Sequence, residues 1–365
     1  MPRATQVHRI AMASPDDVSG IRALIGAGEI DPSTIIAILG KTEGNGCVND
    51  FTRGYAVQSL RLLLLEFIDT KAVDQVCLIM SGGTEGAMSP HWIVISVVEA
   101  AGTSSFQKAL AAAQTITRPL LPAEIGRLKQ ADLVADAVRS AMTDAAIESA
   151  QDVHFVQIKC PLLTAERIEE AGGPGAVSTT STLKSMGTSR GASALGVAIA
   201  LDELDRSTLS DAMIGNAPEH YSSRASCSAG IELLACEVLV LGMSDAWSGS
   251  LAIDHTVMED GIDLGSVHSL LSRNLGAFEG QLSPQQSSRV KAVLVKAEAS
   301  QSGQVRGQRH TMLDDSDISS TRHARGFIAG LLGGATGLTD LFVSGGAEHQ
   351  GPDGGGPCAL IFERT

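Results

Sequence analysis

The sequence predicts an α/β protein assembled from three copies of one α/β unit. Two observations carry this. Short β-like runs alternate with longer helix-like stretches along the chain, the pattern of helices layered on sheets. An ordered set of three motifs also recurs three times, and recurrence at long period marks a repeat architecture.

Taken in order, the β-like runs are Ile35–Leu39, Val76–Met80, Trp92–Val98, His154–Ile158, Glu237–Leu241, Ala292–Val295, Leu341–Val343 and Ala359–Phe362. Tyr55–Ile68 reads YAVQSLRLLLLEFI, too long for a strand and rich in Leu, so it is a helix candidate. Ala131–Ala150 carries apolar residues at helical spacing, and Gly196–Leu204 and Phe327–Leu332 are shorter candidates. No long low-complexity linker separates domains. The softest joints lie at 100–112 and 247–256, which gives units 1–104, 112–249 and 255–365.

The recurring motifs carry the chemistry. A strand-like run ends in Lys at Lys41 (IIAILGK), Lys159 (HFVQIK) and Lys296 (KAVLVK). An Arg-Gly pair follows at Arg53, Arg190 and Arg325, each expected to open a helix. A Ser among small residues comes next, with a Glu four positions on: Ser81 (SGGTE), Ser228 (SAGIE) and Ser344 (SGGAE). The Lys-to-Ser spacings of 40, 69 and 48 differ while the order holds, so only the loops vary. Units packed around a pseudo-threefold axis would bring one Lys, one Arg and one Ser each to a central pocket. Such a pocket is cationic and rich in donors, suited to a small, planar, anionic ligand with several carbonyl oxygens. A Lys beside a Ser is also a solution for nucleophilic catalysis, because a neutral amine can take the hydroxyl proton. Neighbouring cations lower the lysine pKa toward that form. An Arg at a helix start opposes the helix dipole and calls for a ligand or a carboxylate there.

Composition excludes several other classes. With 44% apolar and 19% charged residues the chain is a folded one. The net charge of −14, without a basic cluster, argues against nucleic-acid or membrane partners, and 3% aromatics leave few platforms for stacking bases. No run of ~18 apolar residues is present, and the N-terminus has no apolar segment leading to a cleavage site. Six cysteines without a C-x-x-C pair suggest reduced thiols and a cytoplasmic address. Zinc-hydrolase, Walker A, G-x-G-x-x-G and G-x-S-x-G motifs are absent. Three S-x-x-K strings, beginning at Ser105, Ser181 and Ser288, lack the companion motifs of penicillin-binding enzymes and read as chance.

The strings LGKTEGNGCVND, MSGGTEGAMSPH, HFVQIKCPLLT, SRGASALG, SCSAGIEL, KAEAS, RHTMLDDSDISSTRHAR and VSGGAEHQGPDGGGP closely resemble the cyanuric acid hydrolase/barbiturase family of cyclic amide hydrolases, from about residue 8 to the C-terminus. The resemblance is nearer to the cyanuric acid hydrolases. It implies three similar α/β repeats around a threefold pseudo-axis, with a central barrel-like β core. It implies hydrolytic opening of a cyclic imide without an organic cofactor: cyanuric acid to carboxybiuret, then biuret and carbon dioxide. It implies Ser228 as nucleophile and Lys159 as its base, with Lys41/Ser81 and Lys296/Ser344 as supporting pairs. Alignment of SAGIE with SGGTE and SGGAE favours Ser228, leaving Ser226 in the same S-C-S string as the alternative. Arg53, Arg190 and Arg325 would bind substrate carbonyls, aided by the main-chain N–H groups at Gly82, Ala229 and Gly345.

The resemblance further implies a structural divalent cation, Mg²⁺ or Ca²⁺, held by Glu298 and by main-chain oxygens of Ala347, Gln350, Gly351, Pro352 and Gly355. One carboxylate with several carbonyls is a hard-ligand set of that kind. Ser320 is the expected specificity position; its neighbour Ser319 and the Arg325-Gly326 pair depart from the family pattern. A homotetramer is expected. Two other functions fit the same residues: a barbiturase, giving ureidomalonate from barbituric acid, and a non-catalytic sensor of a small cyclic anion. The second is disfavoured because all three Lys–Ser pairs are intact.

Overall fold

The computed structural model describes residues 2–83, 85–100, 102 and 106–365. Its first part comprises β1 (Arg3–Ala11), α1 (Ser19–Gly26), β2 (Ile35–Lys41), α2 (Phe51–Leu64), α3 (Thr70–Val73), β3 (Cys77–Ser81) and β4 (His91–Glu99). The second comprises β5 (Ala109–Ile116), α4 (Leu128–Asp144), β6 (Val153–Pro161), α5 (Ala165–Glu170), α6 (Thr182–Ala200), β7 (Ala225–Gly230) and β8 (Glu237–Ser244). The third comprises β9 (Leu251–Met258), α7 (Leu264–Leu275), α8 (Pro284–Ser288), β10 (Val290–Ala297), a short hairpin of β11 (Gln304–Val305) and β12 (Gln308–Arg309), α9 (Ser320–Thr336), β13 (Phe342–Gly345) and β14 (Gly356–Glu363).

Each part forms a four-stranded sheet, in the orders β1-β4-β2-β3, β5-β8-β6-β7 and β9-β14-β10-β13. In all three the first strand runs antiparallel to the last, and the two middle strands of the sequence pair in parallel. The sheets are separate and open, so the barrel-like core implied by the resemblance is corrected. Among the described residues no ladder of hydrogen bonds closes the strands into one barrel. What they share is an apolar core.

Strand alternation explains that core. In β2, Ala37 and Leu39 point to one face and Ile38 to the other. The first set joins Ile79, Leu110, Phe155, Leu239, Leu294, Phe342 and Ile361 in a cluster drawn from all three sheets. The opposite faces are covered by helices: α1 and α2 on the first sheet, α4 and α6 on the second, α7 and α9 on the third. Gly196 lets α6 close on α4, since a Cβ there would sit 2.5 Å from the Ala131 carbonyl oxygen.

The expected strands are all present, some longer than read. Six described strands, β1, β5, β7, β9 and the hairpin pair β11 and β12, lie outside the expected runs. β5 (ALAAAQTI) is Ala-rich, a poor strand composition, and forms because it pairs with β8 along its whole length. β5 and β9 also occupy the expected joints, so unit boundaries at 112 and 255 fall inside sheets. Ala101, Thr103, Ser104 and Ser105, which include the end of the first expected unit and one S-x-x-K serine, lie outside the described residues, as do Met1 and Thr84 of the SGGTE motif. Among the described residues no helix is long and apolar enough to cross a membrane, and all six cysteines are free.

Candidate active site

The same alternation that builds the core also builds the site. Continuing β2 past Leu39 on the inward face reaches Lys41, and continuing β3 past Ile79 reaches Ser81. Lys41 pairs in register with Ser81, Lys159 with Ser228 and Lys296 with Ser344, each across two parallel strands at their C-terminal ends. In-register residues on parallel neighbours share a face, so all six side chains turn to the same end of the central core. Ser226 pairs with Gln157, two residues deeper; it is fully buried and its hydroxyl has no hydrogen-bond partner.

A small pocket at that end is lined by Gly46, Arg53, Met80, Ser81, Gly82, Met186, Arg190, Ser228, Ala229, Arg325, Ser344 and Gly345. Every residue expected to bind substrate is among them. Gly46, Met80 and Met186 were not expected. Gly46 belongs to a loop fixed by Asp50, which caps α2 at Thr52 N and accepts the Gly46 N–H at 2.8 Å. Asp50 also covers Gly82, where a Cβ would lie 1.9 Å from its carboxylate.

The arginines arrive differently from the expectation. Arg53 lies in the first turn of α2, but Arg325 is in the second turn of α9 and Arg190 is in the middle of α6. The helix-dipole argument therefore applies to Arg53 alone. Each guanidinium nonetheless has a carboxylate beside it. Arg190 donates Nε and Nη2 to Glu348 at 2.8 and 2.7 Å. Arg325 donates Nε to Glu85 at 2.9 Å and also engages it through Nη2. Arg53 Nε lies 3.9 Å from Glu232, and its Nη2 donates to the Cys47 carbonyl at 2.7 Å. These are the glutamates four residues after each Ser, a recurrence visible in the sequence with no role attached to it.

The lysines are buried and depressed. Burial lowers Lys41 to about 8, with Arg325 pushing further down and Glu85, 3.5 Å away, opposing. Burial and then Arg190 lower Lys296 to about 7. Lys159 is also lowered by burial and by Arg53, against Glu232 at 2.8 Å. Lys159 Nζ donates to the Met80 carbonyl at 2.9 Å, and Lys41 Nζ to the Gly82 carbonyl at 3.1 Å. Lys296 Nζ reaches its own Ser344 hydroxyl at 3.2 Å, and Ser344 Oγ lies 3.1 Å from Ser228 Oγ. Such a set can hold a multi-carbonyl anion, generate a neutral amine and activate a hydroxyl.

A second cavity is lined by Glu298, Gln301, Ala347, Glu348, His349, Gly351, Pro352 and Asp353, among others. Burial raises the Glu298 carboxyl, and the nearby Glu348 charge raises it further. Gln350 instead uses its side chain structurally, accepting the Cys227 N–H at 2.6 Å and donating to the Gly346 and Glu348 carbonyls. Ser320 is the first residue of α9 and is not among the residues lining the pocket.

Comparison with known proteins places the chain. Residues 6–363 match the family described as amidohydrolase ring-opening protein. The chain is 57% identical over 368 residues to the cyanuric acid amidohydrolase of Bradyrhizobium sp. (strain ORS 375), covering 100% of this chain and 99% of that one. It is 58% identical over 367 residues to the cyanuric acid amidohydrolase of Azorhizobium caulinodans, with the same coverage. The crystal structure of cyanuric acid hydrolase from A. caulinodans superposes with a TM-score of 0.92 at 56% identity, covering 100% of this chain and 99% of that one. A second cyanuric acid hydrolase structure gives 0.92 at 46% identity, with both chains fully covered. A family match across nearly the whole chain, with relatives more than half identical, leaves one conclusion: the chain belongs to the amidohydrolase ring-opening family.

Proposed function

We propose that this enzyme opens the ring of cyanuric acid by hydrolysis, giving carboxybiuret, which loses carbon dioxide to leave biuret. One observation carries the reading: three serines, each in register with a buried Lys on the neighbouring parallel strand, line a single pocket with three arginines. The names of the close relatives supply the substrate.

Ser228 is the proposed nucleophile and Lys159 its base. The neutral Lys159 amine takes the hydroxyl proton as Ser228 Oγ bonds to a ring carbonyl carbon. The carbonyl oxygen becomes an oxyanion, held by main-chain N–H groups around Gly82, Ala229 and Gly345. Collapse breaks the ring C–N bond, and the leaving nitrogen takes the proton from the Lys159 ammonium. Water then attacks the carbonyl carbon on Ser228 as Lys159 takes one of its protons; the acyl C–O bond breaks, Ser228 Oγ takes that proton back from Lys159, and carboxybiuret leaves. Arg53, Arg190 and Arg325 hold the ring oxygens, while Lys41/Ser81 and Lys296/Ser344 bind the remaining edges. No step draws on an organic cofactor. Ser228 is favoured over Ser344 because it is 8% exposed against 1%, so a ligand reaches it. The Lys296–Ser344 contact favours a second reading, in which that pair performs the attack.

The second cavity is the proposed seat of Mg²⁺ or Ca²⁺. A carboxylate raised by burial, and further by its neighbour Glu348, is a group that a hard cation would stabilise. Glu298 would bind it with carbonyls of Ala347, Gln350, Gly351, Pro352 and Gly355, and the charge it supplies is structural. Ser320 is the proposed specificity position; its neighbour Thr321 packs its methyl over Gly345 at the pocket. The matching strand orders of the sheets support three copies of one unit about a pseudo-threefold axis. A cytoplasmic homotetramer completes the proposal, the address resting on six free cysteines.

A substrate panel tests the function. Purified protein should convert cyanuric acid to biuret and carbon dioxide without added cofactor. Faster turnover of barbituric acid would make it a barbiturase, and binding without product would make it a sensor.

A further inference from the structure

We propose that Glu85, Glu232 and Glu348 are positioning residues, each fixing across a boundary between sheet units the guanidinium that faces the substrate. The inference rests on the functional reading above, and goes beyond it in assigning the three carboxylates that line up behind the pocket.

The connections run in a closed cycle. Arg325 of the third unit pairs with Glu85 of the first, Arg53 of the first with Glu232 of the second, and Arg190 of the second with Glu348 of the third. No guanidinium is held by the glutamate of its own unit. The pocket is therefore assembled by docking three units; Arg190 and Arg325 are hydrogen-bonded by the neighbouring unit's glutamate, and Arg53 is held between Glu232 of the neighbour and the Cys47 carbonyl of its own unit.

The geometry leaves the arginines free to bind. Arg190 and Arg325 each present Nε and Nη2 to the carboxylate, the side-on arrangement. Their Nη1 groups stay available, because a guanidinium carries five N–H donors in a rigid fork. Arg325 Nη1 lies over Gly345 at the pocket wall, and the Arg190 guanidinium lies over Gly346. Glu85 is buried behind the pocket with its second oxygen turned to Lys41 at 3.5 Å. Glu232 faces both partners with one oxygen, Oε1, 2.8 Å from Lys159 Nζ and 3.9 Å from Arg53 Nε. Each of these two carboxylates thus serves a guanidinium and an amine together.

Glu232 has a further consequence for Lys159. The charged and titratable groups facing that amine are Glu232, Arg53, Cys160 and Glu237. Glu232 is the anion in contact with it, and it is held ionised because Lys159 and Arg53 outweigh its burial. Replacing it by Gln removes the main opposition to the lowering of Lys159, so the neutral amine persists to lower pH.

The experiment compares wild type, Glu85→Gln and Glu232→Gln for cyanuric acid kinetics across pH, with thermal denaturation beside each. Glu85→Gln should raise KM tenfold or more by loosening Arg325. Glu232→Gln should move the acid limb of kcat/KM down by about one pH unit. A folded Glu85→Gln with unchanged KM, or a folded Glu232→Gln with an unchanged acid limb, overturns the proposal. If a Gln variant does not fold, Glu85→Asp and Glu232→Asp keep the charge and shorten the reach. Their KM should rise threefold or more, and an unchanged KM overturns the proposal equally. Absence of cyanuric acid turnover in wild type would instead sink the functional reading.

Discussion

Ser228 and Ser344 stand on different sheets, yet their hydroxyl oxygens lie 3.1 Å apart. Lys296 extends the chain, since its amine reaches Ser344 at 3.2 Å. Two of the three Lys–Ser pairs are thus joined by one hydrogen bond, and removing one hydroxyl will be felt by both.

The first prediction follows from that link. Ser228→Ala and Lys159→Ala should each abolish measurable turnover, since nucleophile and base act as a unit. Ser344→Ala should keep activity reduced by roughly 10–100-fold, the loss of a hydrogen bond that orients Ser228. Steady-state assays on the three variants decide between the dyads. Full loss in Ser344→Ala with activity retained in Ser228→Ala would transfer the nucleophile to Ser344.

The second concerns the guanidinium groups. Arg190 offers two parallel N–H bonds to Glu348, a geometry that a lysine ammonium cannot copy. Arg190→Lys should therefore behave nearly as poorly as Arg190→Ala, with kcat/KM reduced by about 100-fold or more, equivalent to ~3 kcal/mol. Retention of wild-type kcat/KM in Arg190→Lys would show that charge alone suffices there.

A third uses the space around Gly345. A Cβ built there would meet Arg325 Nη1 at 2.3 Å and the Thr321 methyl at 2.6 Å. Both atoms are side-chain ends, so Gly345→Ala should fold, but Arg325 yields only by loosening its pair with Glu85, and the thermal midpoint should fall by several degrees. The Arg325 guanidinium is then displaced from the pocket wall, and KM should rise by about tenfold. Unchanged KM would mean that Arg325 does not contact the ring from its observed position.

Much of this site was legible in the sequence because strand alternation is a local rule. Lys41 follows Leu39 and Ala37 on one face, and the run IIAILGK shows that spacing directly. The pairing of Lys159 with Ser228 was likewise readable from the recurrence of SAGIE beside SGGTE and SGGAE. The cycle of arginines and glutamates was not, because it depends on which units are neighbours, and spacing within a chain carries no such information. The helical placement of Arg190 was missed for another reason. Residues 182–189 read TLKSMGTS, polar and without an apolar stripe, and they are helical because Ser181 caps them and α4 packs behind. The strands β5 and β7, built on Ala, Ser and Gly, form by pairing with neighbours, which composition alone does not reveal.

The last prediction concerns Glu237 at the junction of the first and second sheets. Its carboxyl accepts the Leu78 N–H at 2.9 Å, an edge-strand donor that otherwise has no ladder partner on that side. Burial raises it to about 8 from an ordinary value of 4.5. Between those pH values the folded protein keeps the proton and the unfolded chain has released it. The folded state then binds more protons, so stability falls as pH rises through that window, by at most about 1.4 kcal/mol per pH unit. Glu237→Gln keeps an acceptor for Leu78 and cannot ionise. Urea denaturation at pH 5.5 and pH 8 should show wild type losing more stability over the interval than the variant. Equal losses in the two proteins would mean that Glu237 is ionised in the folded state and that the sheet junction tolerates its charge.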